Sequence, residues 1–96
     1  MARGYWVVTF RSVSDESRVD AYADASLPAI QRHGGRVLAA GVPAFNHEAG
    51  SNQRVAMVEF DSVEAAEMAY LSHEYQASLQ HLAGAAVRDV RIIEGR

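Results

Sequence analysis

The chain has no cysteine, so a disulfide framework, a thiol nucleophile and Cys-ligated zinc are all excluded. It has no lysine either: its nine basic residues are all arginine, which removes Schiff-base chemistry on a side-chain amine and the usual anchoring of pyridoxal phosphate. Positive charge is not in excess. The net charge of -3 lacks the basic stripe of a nucleic-acid module. No run approaches the roughly 20 apolar residues of a membrane span. The apolar stretch Tyr5–Val8 behind Arg3 is too short for a secretory leader and has no small-residue cleavage site, so a cytoplasmic protein is expected. Proline is scarce and low-complexity segments are absent. What remains is a 96-residue chain with 49% hydrophobic residues, enough for one modest core and one domain, residues 1–96.

The apolar pattern divides the chain into alternating strands and helices. Tyr5–Phe10 is aromatic and β-branched and predicts a strand. Ser14 is expected to cap a helix, with Asp15 and Glu16 in its first turn. Val19, Tyr22, Ser26, Ile30 and His33 form one face of that helix. Pro28 should kink or break it, because its ring opposes the carbonyl of Asp24. Gly34 and Gly35 should end it. Arg36–Ala40 predicts a second strand and Arg54–Phe60 a third, separated by a loop with Gly50, Ser51 and Asn52 at its tip. Asp61 as N-cap with Glu64 resembles a capping box opening a helix to about Leu71. Ser72 should cap a short helix from His73 to about Leu82, broken by Gly84. Val87–Glu94 predicts the last strand, with Val90 and Ile92 on one face and Asp89, Arg91 and Ile93 on the other.

The order strand, helix, strand, strand, helix, strand is that of a duplicated βαβ unit. It predicts an α+β, ferredoxin-like βαββαβ subunit: a four-stranded antiparallel sheet with its helices on one face. The uncovered face keeps apolar residues and is expected to find a second copy of itself, giving a homodimer.

Five segments then carry a family resemblance in order and spacing. They are Tyr5–Val8, His33–Leu38, Arg54–Phe60, Ser72–Gln76 and Asp89–Gly95. Together they resemble the domain-of-unknown-function 1330 family of the dimeric α+β barrel superfamily. The resemblance implies two subunits packed sheet to sheet, with a ligand pocket inside each subunit between sheet and helices. Relatives in the superfamily include cofactor-independent monooxygenases, muconolactone isomerase, haem-degrading enzymes, aldoxime dehydratases and binding domains. It also implies differences. The family usually has arginine at the positions of Ala40 and Leu82, glycine at Val42 and proline at His73. With two positive charges missing, the pocket is expected to hold something larger and less charged.

Candidate site residues follow from chemistry and position. His33, Arg54 and His73 are the candidate catalytic residues: His33 as base or proton shuttle, Arg54 as support for an oxyanion, His73 as an acid–base group at the pocket mouth. Thr9, Tyr22, Arg36 and Tyr70 are the candidate substrate-binding residues. Each has a structural alternative: a histidine closing the last helix turn for His33, a strand-end ion pair with Glu59 or Asp89 for the arginines, core packing for Tyr22, Tyr70 and Tyr75. His73 and His81 are two helical turns apart, too far to share a metal, and no ligand spacing for one exists, so no metal and no organic cofactor are expected. The expected function is binding of a small apolar or conjugated molecule by a homodimer. Proton-transfer isomerisation, cyclisation or cofactor-free oxygenation are the candidate reactions, with a non-catalytic metabolite-binding or docking dimer as the alternative.

Overall fold

The computed structural model describes residues 2–96. Its elements are β1 (Gly4–Val13), α1 (Glu16–Arg32), β2 (Arg36–Gly41), β3 (Val55–Phe60), α2 (Val63–Leu71), α3 (His73–Ser78), a 3₁₀ turn (Leu79–His81) and β4 (Ala86–Glu94). The strands form one antiparallel sheet in the order β2-β3-β1-β4, the ferredoxin-like arrangement predicted from the element order.

Alternation along β1 sets the two faces. Trp6, Val8 and Phe10 point toward the helices and are buried, together with Val58 and Phe60 of β3. The helices reach this face in different ways. Helix α2 comes close through small residues, Ala66 and Ala69, both buried. Gly4 allows this approach, since a Cβ there would lie 2.5 Å from the carbonyl oxygen of Ser62. Helix α1 presents Val19, Tyr22, Ser26 and Ile30 and packs beside α3. It leaves β2 exposed along its whole length. A groove therefore opens between α1 and the β2 side of the sheet.

Several local expectations are corrected. The cap of α1 is Asp15, which accepts from the Ser17 and Arg18 amides. Ser14 instead donates to the carbonyls of Gly84 and Ala85, tying the end of β1 to the turn before β4. The cap of α2 is Ser62, which accepts from the Ala65 amide. Glu64 is thus one position too early for a capping box, and Asp61 faces Arg3 and Arg36. Pro28 does not break α1. It sits on the solvent side, where water can satisfy the Asp24 carbonyl. The helix beginning at His73 ends at Ser78 and tightens into the 3₁₀ turn before Leu82. The glycine pair does end α1. Gly34 adopts φ 77°, its amide donates to Gln31 and that of Gly35 to Ile30, a Schellman closure.

The open face of the sheet is less uniformly apolar than expected. Val7, Val55, Met57 and Ile93 lie at its centre, but two ion-paired groups flank them. Arg36 and Tyr5 both donate to Glu59, at 2.7 and 2.8 Å, and Arg11 meets Asp89 at 2.9 Å. The Arg36 hydrogen bond, then that of Tyr5, holds the Glu59 carboxyl below the usual carboxylate range. In the unfolded chain this group takes up its proton near about pH 4.3. Its contribution to stability is therefore complete above that value and is lost as pH falls through the lower folded value. Acid melting curves should show this: Glu59→Gln should lower the melting temperature at neutral pH and flatten its decline below about pH 4. Parallel wild-type and variant curves would contradict it.

Candidate functional site

The groove under α1 has two lobes that share Phe10, Tyr22, Ala23, Ala40 and Ala56. The inner lobe, about 340 Å³, is walled by Trp6, Val8, Ile30, Val37 and Val58. The outer lobe, about 320 Å³, runs past Val42, Val55 and Arg54. Both volumes are within the range of small-molecule sites, and the walls are apolar.

One polar cluster interrupts those walls. Arg88 of β4 pairs across the sheet with Phe10, so it shares the helix-facing side. Its Nη1 donates to the Tyr22 hydroxyl at 3.0 Å and its Nη2 to the Tyr75 hydroxyl at 2.7 Å. The two hydroxyls lie 2.6 Å apart. The guanidinium carbon stands 4.7 Å from the centre of the Tyr22 ring and 5.8 Å from that of Phe10. Tyr75 is fully buried and packs its ring edge-on against Trp6. Burial above all holds its hydroxyl well above the ordinary phenol range, so Tyr75 stays protonated.

Arg88 donates to both oxygens. One hydroxyl proton lies between the two tyrosines, and either oxygen can donate it. The result is a pair of phenols backed by a guanidinium, with Tyr22 and Arg88 at the wall of the groove.

The other anticipated residues fall in different places. His33 caps the C-terminus of α1, half-buried, and does not line the groove. Arg54 lies in the outer lobe, where its Nη2 meets Glu16 at 2.7 Å and Asp20 at 3.2 Å. These partners on α1 replace the strand-end partners considered from sequence. Arg36 pairs with Glu59 on the open face of the sheet. His73 is exposed at the start of α3. Thr9 lies on the open face, in a hollow of about 440 Å³ with Val7, Arg11, Ser51, Asp89 and Arg91. That hollow is larger, but its charges neutralise one another. Tyr70 packs against Trp6 and Tyr75 and lines a smaller hollow with Arg88, Glu67, Val90 and Ile92. Of the seven candidates, only Tyr22 and Arg54 line the groove. Among the described residues no cluster of three metal-ligating side chains exists.

Arg88 is the residue that the sequence reading missed. Its signal was present: Val90 and Ile92 mark the core phase of the last strand, and Arg88 is the next position back in that phase. Its charge also corrects the expectation of a pocket poor in positive charge. Ala40 does leave the β2 wall apolar, and Leu82 is buried in the core and lines neither lobe, but β4 supplies a cation from beneath.

No curated protein matches the chain. Solved structures do. The RPA0582 protein of unknown function from Rhodopseudomonas palustris is 22% identical with a TM-score of 0.68, over 97% of this chain and 80% of that one. A variant of SnoaB, a cofactor-independent oxygenase from Streptomyces nogalater, is 14% identical with a TM-score of 0.68, over 98% of this chain and 93% of that one. A protein from Bacteroides fragilis described as dimeric, of unknown function and ferredoxin-like fold, is 15% identical with a TM-score of 0.57, over 96% of this chain and 95% of that one. At these identities the likeness concerns the fold. The sequence match is more specific, since the profile of the Domain of unknown function (DUF1330) covers residues 3–96, and the chain belongs to that family.

Proposed function

We propose that the chain is a small-molecule-binding homodimer and a cofactor-independent enzyme of acid–base type, acting on a small apolar or conjugated molecule held in the groove under α1. The observation that carries this reading is the convergence of apolar walls on one donor cluster, Tyr22 with Arg88 and Tyr75. Isomerisation, cyclisation of a carbonyl compound and cofactor-free oxygenation share one demand: an anion must develop on a substrate oxygen and be stabilised there. The Tyr22 hydroxyl donates to that oxygen while Tyr75 donates to Tyr22, and the guanidinium beside it offsets the charge. Tyr75 keeps Tyr22 oriented. Asp24, at the groove mouth, is the one carboxylate lining the inner lobe among the described residues and is the base within reach of the substrate's acidic carbon. Arg54 supports the outer end. His33 and His73 lie outside the groove and have no part in this reading. The likeness to a cofactor-independent oxygenase fits this chemistry, and the likeness to a protein described as dimeric fits association through Val7, Val55, Met57 and Ile93. Among the described residues no helix is long and apolar enough to cross a membrane, and a chain without cysteine suits the cytoplasm. The charge balance of -3 fits no nucleic-acid partner.

A thermal-shift screen with conjugated small molecules tests the reading. A true ligand at 100 times its Kd adds about 2.7 kcal/mol, roughly 10 °C or more for a domain of this size. Ala23→Trp should remove the shift. Ala23 is exposed and lines both lobes, so an indole there closes the groove with little effect on the core. A shift that survives Ala23→Trp would place the ligand elsewhere and end this reading. A second reading, a non-catalytic docking dimer, is favoured by one observation. Phe45 and Val42, in the β2–β3 connection, are 86% and 69% exposed, an apolar projection of the kind that meets partners.

A further inference from the structure

We propose that the ligand of the groove is an anion: a carboxylate or phenolate on a flat apolar body, with Arg88 as its counter-ion and Tyr22 as its second donor. The proposal deepens the function above and rests on the groove being a ligand site. It comes from an inventory of charge. Arg3, Arg11, Arg32, Arg36, Arg54 and Arg91 each lie within 4.0 Å of a carboxylate. Arg18 donates to the carbonyl of Gln80, and Arg96 is exposed at the chain end. Arg88 alone is set among core side chains on the helix side of the sheet, and it has no acidic partner among the described residues.

Two carboxylates face its surroundings. Asp24 lines the groove mouth on α1, and Glu67 lines the hollow on the other side of Arg88, on α2. Neither comes within ion-pair distance of the guanidinium. A cation held partly out of water without a counter-ion is costly, and it costs less once an anion arrives.

Donor capacity points the same way. Arg88 has five N–H groups, and the two tyrosine hydroxyls occupy two of them. The rest of the fork makes no hydrogen bond to the described residues, and a planar two-oxygen group matches its geometry. Tyr22 adds an O–H beside it. A neutral ligand would accept these hydrogen bonds and leave the charge uncompensated. Of the remaining lining, Ser26 gives its hydroxyl to the Ala23 carbonyl, Asp24 stands at the mouth, and Trp6, Val8, Ile30, Val37 and Val58 form an apolar wall that suits an apolar body.

Calorimetric titration of the full chain tests the proposal. The probes are trans-cinnamate, 1-naphthoate and biphenyl-4-carboxylate, each beside its primary amide of nearly equal shape. The carboxylates should bind at least about tenfold tighter than the amides, the scale of a hydrogen bond to a charged group. Arg88→Met should erase that preference, and Asp24→Asn should strengthen carboxylate binding severalfold. Should Arg88→Met fail to fold, the wild-type protein still decides: the Arg88 Nε–H proton resonance should move with cinnamate and stay put with cinnamamide. Equal affinity for acid and amide would overturn the anion while leaving the groove a site for neutral molecules. A preference that survives Arg88→Met, or an unmoved Nε–H resonance, would overturn the role of Arg88. No binding by any of the six probes, or binding undiminished by Ala23→Trp, would overturn the groove reading itself and this proposal with it.

Discussion

Trp6→Ala should cost about 3–5 kcal/mol of folding stability, the largest loss expected from any single truncation in this chain. Trp6 is 1% exposed and sits where both helices of the second half meet the sheet. Its ring centre lies 5.0 Å from that of Phe60, 4.9 Å from Tyr75 and 6.0 Å from Tyr70. Its indole N–H donates to the Ala66 carbonyl at 2.9 Å, so alanine would leave a cavity and remove that hydrogen bond. A domain of this size has a total stability of about 5–15 kcal/mol, so the variant should melt at far lower temperature or fail to fold. Trp6→Phe should recover much of the packing but not the hydrogen bond. Urea denaturation of the three proteins orders them wild type, Trp6→Phe, Trp6→Ala. A Trp6→Ala midpoint within error of wild type would mean that the core is organised elsewhere.

Tyr22→Phe should have the largest effect on activity. Once a substrate is found, loss of this hydroxyl should lower kcat/KM by about 10²–10³, the usual scale for removing one donor from a developing oxyanion. The fold should survive, because the ring stays in place and Tyr75 keeps its bond from Arg88. The cost in stability should be about 1–3 kcal/mol, since the hydroxyl partners both Arg88 and the buried Tyr75. His33→Ala is the informative partner. The imidazole lies at the end of α1 and does not line the groove, so kcat/KM should stay within about twofold. The reverse pattern, a slow His33→Ala beside an unaffected Tyr22→Phe, would return the reaction to the histidine.

The strand at Tyr5–Phe10 was legible because period-two alternation survives any tertiary context. The end of α1 was legible because only glycine takes a positive φ at no cost. The caps were displaced by one residue each. Ser14 and Asp61 are good capping types, but the turn before β4 engages the first, and Arg3 and Arg36 face the second. Such competition involves partners tens of residues away, which no local pattern contains. Candidate site residues fared similarly. Histidine and arginine were ranked by intrinsic chemistry, yet Arg36 meets Glu59 and Arg54 meets Glu16 and Asp20.

By itself the order and periodicity of this chain determined the sheet and its helices, because these depend on interactions between near neighbours and on the phase of each strand. Only the tertiary structure decided which arginine sits among core side chains without a carboxylate beside it. That outcome depends on β1 aligning Arg88 with Phe10 and on α1 and α3 bringing Tyr22 and Tyr75 to the same point. The three residues are 66 and 13 positions apart along the chain from Arg88, and a charge is free or paired only with respect to what folding sets beside it.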